Sequence, residues 1–239
     1  MPTRSNNTSS MPASHKPMTK SKLVPVPKEI LPVYDTNSPE PTTRTDLLKY
    51  WINLSLDEKT ANKALWISEG GAKVSRMTDE VLCPVLDRPE RYEHSPQVLC
   101  KEEIFGFRGY WEVEYAGWVV VGVTSEGAPR RSRDGSCGLG ENEESCGLTW
   151  AGSHYQLWFK GINKEIRKVP QSLTIGVYLD QPAGFVCFYS VKEVMEGEEG
   201  TGRKEVKLLG REKFSLKENM LPGFWVGPNS SCSIVKRKE

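Results

Sequence analysis

The segment from residue 105 to residue 124 constrains the fold more than any other part of the chain. Side chains of two kinds alternate along its first half: Trp111, Val113 and Tyr115 on one side, Tyr110, Glu112 and Glu114 on the other. This period of two is typical of a half-buried β-strand. Residues 116 and 117 predict a turn, and residues 118–123, rich in valine, predict a second strand. Two successive strands with no helical period favour an antiparallel all-β core.

Sequence signatures of catalysis and of metal binding are missing. The chain has no nucleophile elbow and no phosphate loop. Its six cysteines form no C-x-x-C pair, and with only three histidines the chain encodes no RING or B-box zinc module. We therefore expect no catalytic residue, no cofactor and no metal, and look for function in surfaces and loops.

Charge and apolar runs limit the class of partner and the compartment. The 239 residues carry a net charge of +1, which gives no general reason to expect nucleic acid or an anionic membrane as a partner. No apolar run would serve as a signal peptide or membrane span. Cys100 and Cys187 lie in apolar strand-like runs, as reduced core cysteines do. These observations predict a cytoplasmic protein with reduced cysteines. If the chain is a protein-binding module, we expect it to be monomeric on its own.

The N-terminal 44 residues differ in composition from the rest. Half of the sixteen prolines fall in the first 41 residues, among serine, threonine, asparagine and lysine. Such a segment buries too little apolar surface to offset its ordering entropy, so residues 1–44 are predicted to be a disordered arm and residues 1–42 dispensable for folding. Thr45 and Asp46 then predict the cap of a short helix.

The remaining chain alternates short strands with polar turns. The longest connection, residues 125–146, is rich in glycine and changes sign along its length, from Arg130, Arg131 and Arg133 to Glu141, Glu143 and Glu144. Loops of this length in a compact domain are usually functional or disordered. Short, closely spaced strands with Gly/Pro turns predict a β-sandwich.

Five segments, in this order, resemble the PRY–SPRY domain of tripartite-motif proteins and butyrophilins: residues 56–62, 110–114, 118–123, 175–189 and 221–224. Residues 88–92 and 97–100 most resemble fish tripartite-motif-like and stonefish-toxin-like members. The resemblance covers residues 45–237, with PRY at about 45–100 and SPRY at about 101–237. It implies a bent, concanavalin-like sandwich of two antiparallel sheets.

The resemblance also implies a non-catalytic module that binds a protein partner through loops at one end of the sandwich, in innate-immune or ubiquitin-pathway signalling. Ligase activity does not carry over, because the chain has no RING. One alternative is the C-terminal domain of a pore-forming, stonefish-toxin-like protein. A remote alternative is a glycan-active enzyme using Glu112 and Glu114, two residues apart on one strand; the ordinary interpretation of this pair is a solvated sheet face.

Three aromatic residues near loops are the predicted anchors for a partner, namely Trp150, Tyr155 and Phe224. Arg130, Arg131 and Glu143 are the predicted charged rim. The remaining aromatics of the strand pattern are assigned to the core: Trp66, Trp111, Trp118, Tyr178 and Phe188.

Overall fold

The computed structural model describes residues 33–78, 81–196, 201–214 and 218–237. These residues form a short helix α1 (Arg44–Leu47) continued by a 3₁₀ turn (Leu48–Tyr50), a second 3₁₀ turn (Glu69–Gly71) and a series of strands. The strands are β1 (Trp66–Ser68), β2 (Lys73–Arg76), β3 (Gln97–Leu99), β4 (Arg108–Ala116), β5 (Val119–Ser125), β6 (Ser145–Trp150), β7 (Tyr155–Phe159), β8 (Ile162–Ile166), β9 (Thr174–Asp180), β10 (Phe185–Glu196), β11 (Thr201–Lys213), β12 (Met220–Val226) and β13 (Ser230–Ile234).

The strands form two antiparallel sheets. The first has the order β1-β2-β13-β4-β9-β10-β11, and the second has the order β3-β12-β5-β6-β7-β8. Apolar side chains from the inner faces of both sheets, among them Trp111, Val121 and Phe188, form one buried cluster. The prediction of an all-β, two-sheet sandwich with one short N-terminal helix is therefore confirmed.

The turn at Gly117 carries the chain from one sheet to the other. The strands β4 and β5 on either side of it lie in different sheets and do not pair with each other. Gly117 has a φ of +80°, and a Cβ atom there would lie 2.9 Å from the Cβ atom of Ser230. The Trp118 backbone N–H donates to Ser230 Oγ at 2.9 Å. The turn therefore requires glycine for both its conformation and its space.

Three of the five aromatics assigned to the core are fully buried: Trp111, Tyr178 and Phe188. The assignment is wrong for Trp66 and Trp118, whose side chains are 37% and 56% exposed. Trp66 lies on β1, at the edge of the first sheet. Trp118 lies directly after the crossing at Gly117, where the chain enters the second sheet and the alternation of β4 no longer predicts which side chains face inward.

Helix α1 covers part of the outer face of the first sheet. Thr43 caps it in a capping box: the Thr43 side chain accepts from the Asp46 N–H, and the Asp46 carboxylate accepts from the Thr43 N–H. The cap thus lies two residues before the predicted one. Leu47 of the helix packs with Tyr110 and Tyr178 of the sheet in a second buried cluster.

A buried ion pair fastens this helix to β4. Glu112 is fully buried, and its carboxylate accepts from Arg44 Nε at 2.7 Å and from Arg44 Nη2 at 3.0 Å. The Tyr110 hydroxyl donates to the same carboxylate at 2.8 Å. The solvated sheet face expected for Glu112 and Glu114 is therefore wrong for Glu112. The glycan-active alternative loses its basis as well, because only Glu114 is exposed.

The chain contacts the sandwich well before residue 45. The Tyr34 hydroxyl donates to Asp180 Oδ1 at 3.0 Å, and the guanidinium of Arg108 lies 4.9 Å from the centre of the Tyr34 ring. Arg108 also donates to Asp180 Oδ2 at 2.9 Å and to the Ser38 carbonyl at 3.2 Å. The predicted disordered arm is thus too long at its C-terminal end, and its first 32 residues lie outside the described residues.

The six cysteines are free, and all except Cys83 are buried. Burial raises the pKa of the Cys187 thiol to about 12, which keeps that thiol protonated and unreactive at neutral pH. In the part of the chain that the structure describes, no helix is long and apolar enough to cross a membrane.

Replacing Arg44 with methionine is predicted to lower the free energy of unfolding by about 3 kcal/mol, because the carboxylate of Glu112 would stay buried without its cation. Chemical denaturation with urea measures this. The double variant Arg44→Met/Glu112→Leu, which removes both charges, should recover much of the loss. If both variants lose the same unfolding free energy, the unpaired charge of Glu112 is not the cause of the loss.

Removing residues 1–42 is predicted to lower the thermal midpoint by several degrees relative to a chain that starts at residue 33, because the contacts of Tyr34 with Asp180 and Arg108 are lost. Differential scanning calorimetry on the two truncated chains gives the difference. Identical midpoints would mean that this segment adds nothing to stability.

Candidate functional site

A row of side chains crosses the outer face of the second sheet. Trp225 on β12 lies opposite Val120 on β5, which lies opposite Thr149 on β6, and Thr149 lies opposite Gln156 on β7. Strand alternation places Trp118 and Trp158, two residues from Val120 and Gln156, on the same face. The outer face of the second sheet thus presents three tryptophans: Trp118, Trp158 and Trp225.

A second row on the same face, two residues along each strand from the first, consists mostly of glycines. Gly223, Gly122 and Gly147 lie opposite one another on β12, β5 and β6, and Trp158 on β7 ends the row. A Cβ atom at Gly147 would lie 3.3 Å from Leu139 Cβ, and one at Gly223 would lie 3.8 Å from Leu139 Cδ1. The glycines therefore leave a depression in the sheet. The side chain of Leu139, from the loop before β6, lies in this depression.

Buried polar groups hold this loop on the sheet. The fully buried side chain of Gln97 accepts from the Leu139 N–H at 3.1 Å and donates to the Cys137 carbonyl at 3.3 Å. Gly140 donates its N–H to Ser145 Oγ at 2.8 Å and accepts at its carbonyl from the Gly161 N–H, also at 2.8 Å. The stretch from residue 137 to residue 141 is thus fixed in place.

The loop and the sheet together enclose a groove of about 190 Å³, here called the tryptophan groove. The rings of Trp118 and Trp225 lie 4.9 Å apart, centre to centre, at an angle of 60°. The lining consists of Ser95, Trp118, Val120, Gly138, Leu139, Glu141, Thr149, Gln156, Trp158 and Trp225. The groove therefore combines three indole rings with one carboxylate.

A second depression of about 420 Å³ adjoins the first and shares Trp118 and Gln156 with it. Trp150, the first residue predicted to anchor a partner, lines this depression together with Gly117, Ala151 and Gly152. The Trp150 ring meets the Tyr155 ring edge-to-face at 4.9 Å and is half-buried. The structure thus places Trp150 beside the tryptophan groove.

Tyr155 and Phe224 do not reach the surface, so the predicted role of these two residues in partner contact is wrong. Both side chains are 0% exposed and belong to the main core cluster. The Tyr155 hydroxyl accepts from the Ser172 N–H at 2.7 Å. Their strands β7 and β12 alternate so that these positions face inward, while Gln156 and Trp225, one residue further along, face outward.

The predicted charged rim does not line the tryptophan groove. Arg130 and Arg131 border a separate open depression with Pro89 and Glu90. Arg131 donates to both carboxylate oxygens of Asp87 at 3.1 Å and pairs with Glu93 at 3.2 Å, so that it ties two loops together. Glu143 is exposed on the loop that forms the groove wall, two residues beyond Glu141.

Glu141 is the one carboxylate in the lining. Partial burial raises its pKa, and a hydrogen bond with the Gly138 backbone opposes that rise. Among the described residues, no group of His, Cys, Asp and Glu side chains is arranged to hold a metal ion. The lining therefore offers aromatic faces, one carboxylate, the Gln156 amide and the hydroxyls of Ser95 and Thr149.

Known proteins are similar to this chain in sequence and in fold. A family model of the PRY, or SPRY-associated, domain matches residues 54–104. The chain is 31% identical over 160 residues to tripartite motif-containing protein 16 of Mus musculus, and 36% identical over 155 residues to stonustoxin subunit beta of Synanceia horrida. The chain is a PRY–SPRY domain protein, related to tripartite-motif proteins and to stonefish toxins.

The PRY–SPRY chain matches only part of these relatives. The matched region is 66% of this chain and 28% of the tripartite motif-containing protein, and 63% of this chain and 21% of the toxin subunit. The crystal structure of the TRIM65 PSpry domain superposes with a TM-score of 0.69 and 22% identity, over 84% of this chain and 100% of that domain. The whole of that solved domain therefore has the same fold as the matching part of this chain.

Sequence reasoning missed most of the groove. The strand pattern assigns Trp118 to the core and singles out neither Trp158 nor Trp225. Each of the three nevertheless lies one residue from an inward-facing aromatic or aliphatic side chain, so alternation places it on the outer face. The signal that could have found the groove is the row formed by Gly122, Gly147 and Gly223, since an interior glycine in a strand marks close approach of other backbone. Gln97 carries no local signal, because its bonds reach residues about 40 positions away.

Replacing Phe224 with alanine is predicted to cost about 3–5 kcal/mol of unfolding free energy, because it opens a cavity in the core. Replacing Trp118 with alanine should cost only about 1 kcal/mol, since that ring is more than half exposed and loses mainly its contact with Trp225. Urea denaturation of both variants tests the assignment. Comparable losses for the two would place Trp118 in the core after all.

Proposed function

We propose that this PRY–SPRY domain is a non-catalytic recognition module that binds a protein partner through the tryptophan groove and the adjoining depression at Trp150. The observation that carries the proposal is the set of tryptophans on the outer face of the second sheet, beside a loop fixed from below by Gln97. Large aromatic side chains on a rigid frame with a polar rim are the usual composition of an interface hot spot.

The rigidity of this surface supports recognition over catalysis. The groove presents preformed indole faces, so binding orders few side chains and loses little conformational entropy. Its lining has one carboxylate and no histidine, cysteine or second carboxylate beside it. Innate-immune or ubiquitin-pathway signalling in the cytoplasm, expected from the sequence resemblance, is the setting we propose for this partner.

The proposal predicts that binding depends on Trp118 and Trp158. Replacing either residue with alanine in the full chain should weaken partner binding by at least about 2 kcal/mol. Proteins captured from cell extract by the wild-type chain are compared with those captured by each variant, and the affinity of a lost partner is then measured by calorimetry. Circular dichroism checks that each variant is folded.

The matched control is Leu208→Ala, which removes an exposed apolar side chain on β11 of the opposite sheet. This variant should capture the same partner with unchanged affinity. A partner that binds both tryptophan variants as tightly as the wild type would show that the recognition surface lies elsewhere on the sandwich.

The toxin similarity supports a second candidate function. Because the identity to stonustoxin subunit beta, 36%, is as high as that to the tripartite-motif relative, the domain could serve as one part of a toxin-like polypeptide. In that case the groove would meet another domain or subunit of the same assembly. Mapping transcripts upstream of the Met1 codon distinguishes the two, since a continuous reading frame that encodes a toxin-like region would favour the second candidate.

A further inference from the structure

The carboxylate of Glu141 lies in an unusual setting for a surface acid. It borders the tryptophan groove together with Trp118, Trp158 and Trp225. A Cβ atom added at Gly138 would collide with Glu141 Oε2, and one added at Gly135 would lie 3.9 Å from the same oxygen. The two glycines thus leave room for the carboxylate against the loop backbone.

In the described part of the chain, no Lys, Arg or His is paired with this carboxylate. Its hydrogen bond is with the Gly138 backbone. By contrast, Asp87 and Glu93 on the neighbouring loop both pair with Arg131. Glu141 is therefore an anion held beside three aromatic rings without a counter-charge.

Indole faces and a nearby carboxylate attract the same kind of group. A cation over the face of a tryptophan is attracted by the ring quadrupole, and tryptophan is the strongest of the aromatic partners. The rim of the loop adds to this preference, since Glu143 and Glu144 are exposed directly after Glu141. Both features favour a positively charged ligand.

The size of the groove indicates how much of a ligand it admits. Its volume of about 190 Å³ lies below the roughly 300–1,000 Å³ of sites for whole small molecules. The groove is therefore large enough for one long side chain of a partner protein. A planar guanidinium stacks on an indole and bonds a carboxylate through two parallel N–H groups, whereas an ammonium is more strongly hydrated and does neither.

We propose that the tryptophan groove binds an arginine side chain of the protein partner, with the guanidinium stacked on the indole rings and paired with the Glu141 carboxylate. The inference rests on the proposed function, because it names the chemistry of the group that the groove recognises. The Gln156 side-chain oxygen, which accepts from Trp158 Nε1 at 3.3 Å, is a further acceptor in the lining.

The test uses the ¹⁵N-labelled full chain and the capped amino acid N-acetyl-arginine amide as the probe. Titration should shift the indole N–H signals of Trp118, Trp158 and Trp225 saturably, with a dissociation constant of about 10 mM or tighter. Single tryptophan-to-phenylalanine variants assign these signals. The citrulline analogue has the same shape without the charge, and should bind at least about fivefold more weakly.

Two carboxylate variants locate the charge. Glu141→Gln should weaken binding of the arginine probe about fivefold or more, while Glu143→Gln, which removes the same charge from the rim outside the lining, should weaken it by less than about twofold. N-acetyl-lysine amide should bind more weakly than the arginine probe, because the groove presents planar faces.

Any of four results would overturn the inference: no saturable shift with the arginine probe, equal binding of the citrulline analogue, equal binding of the lysine probe, or unchanged binding in Glu141→Gln. None of these would by itself contradict protein recognition by the groove. The proposed function is tested separately, on a whole partner protein with Trp118→Ala and Trp158→Ala, so failure of one proposal is distinguishable from failure of the other.

Discussion

The charge on Glu112 governs how the N-terminal part of the domain is organised. A carboxylate with no exposed surface is costly unless a cation and hydrogen bonds compensate it. Arg44 and the Tyr110 hydroxyl supply both. Because Arg44 is the first residue of α1, satisfying this charge also fixes the helix on the sheet and brings Leu47 over Tyr110 and Tyr178. The segment that contains Tyr34 then continues along the same face, to Arg108 and Asp180.

The two sheets consequently have different outer faces. The first is partly closed by its own N-terminal segment, whereas the second keeps an aromatic surface open. On that second face, the loop before β6 does not cover the tryptophans but forms a wall beside them. A fixed wall next to a rigid sheet favours a preformed site, in which affinity depends on complementarity more than on rearrangement.

Strand alternation alone was sufficient to predict β4, β9 and the first part of β10, and with them the sandwich. It placed Trp111 and Phe188 in the core correctly. It failed for Trp118, because the chain changes sheets at Gly117 and the inward side changes with it. It failed for Glu112 too, since the residue that buries it, Arg44, lies 68 positions away. Local pattern carries no information about such distant partners.

The candidate site was harder to predict than the fold for the same reason. A position beside a loop predicts a surface ring for all three residues, but Trp150 is half-buried and Tyr155 and Phe224 are fully buried. Proximity to a loop does not decide which side of a strand a ring occupies. The groove depends on register across four strands and on a loop bonded to Gln97, and neither can be derived from any short segment.

The glycine row under Leu139 has a consequence for how such domains diverge. The depth of the depression comes from three positions that lack a side chain, so it does not depend on which residues line the walls. Substitutions at the tryptophans or along the loop can therefore change the ligand while the floor keeps its shape. A Cβ atom at Gly122 would collide with the Cys146 carbonyl, and one at Gly147 would lie 3.3 Å from Leu139. Descendants of this sequence would then be free to acquire new specificities at the walls, but would retain glycine beneath them.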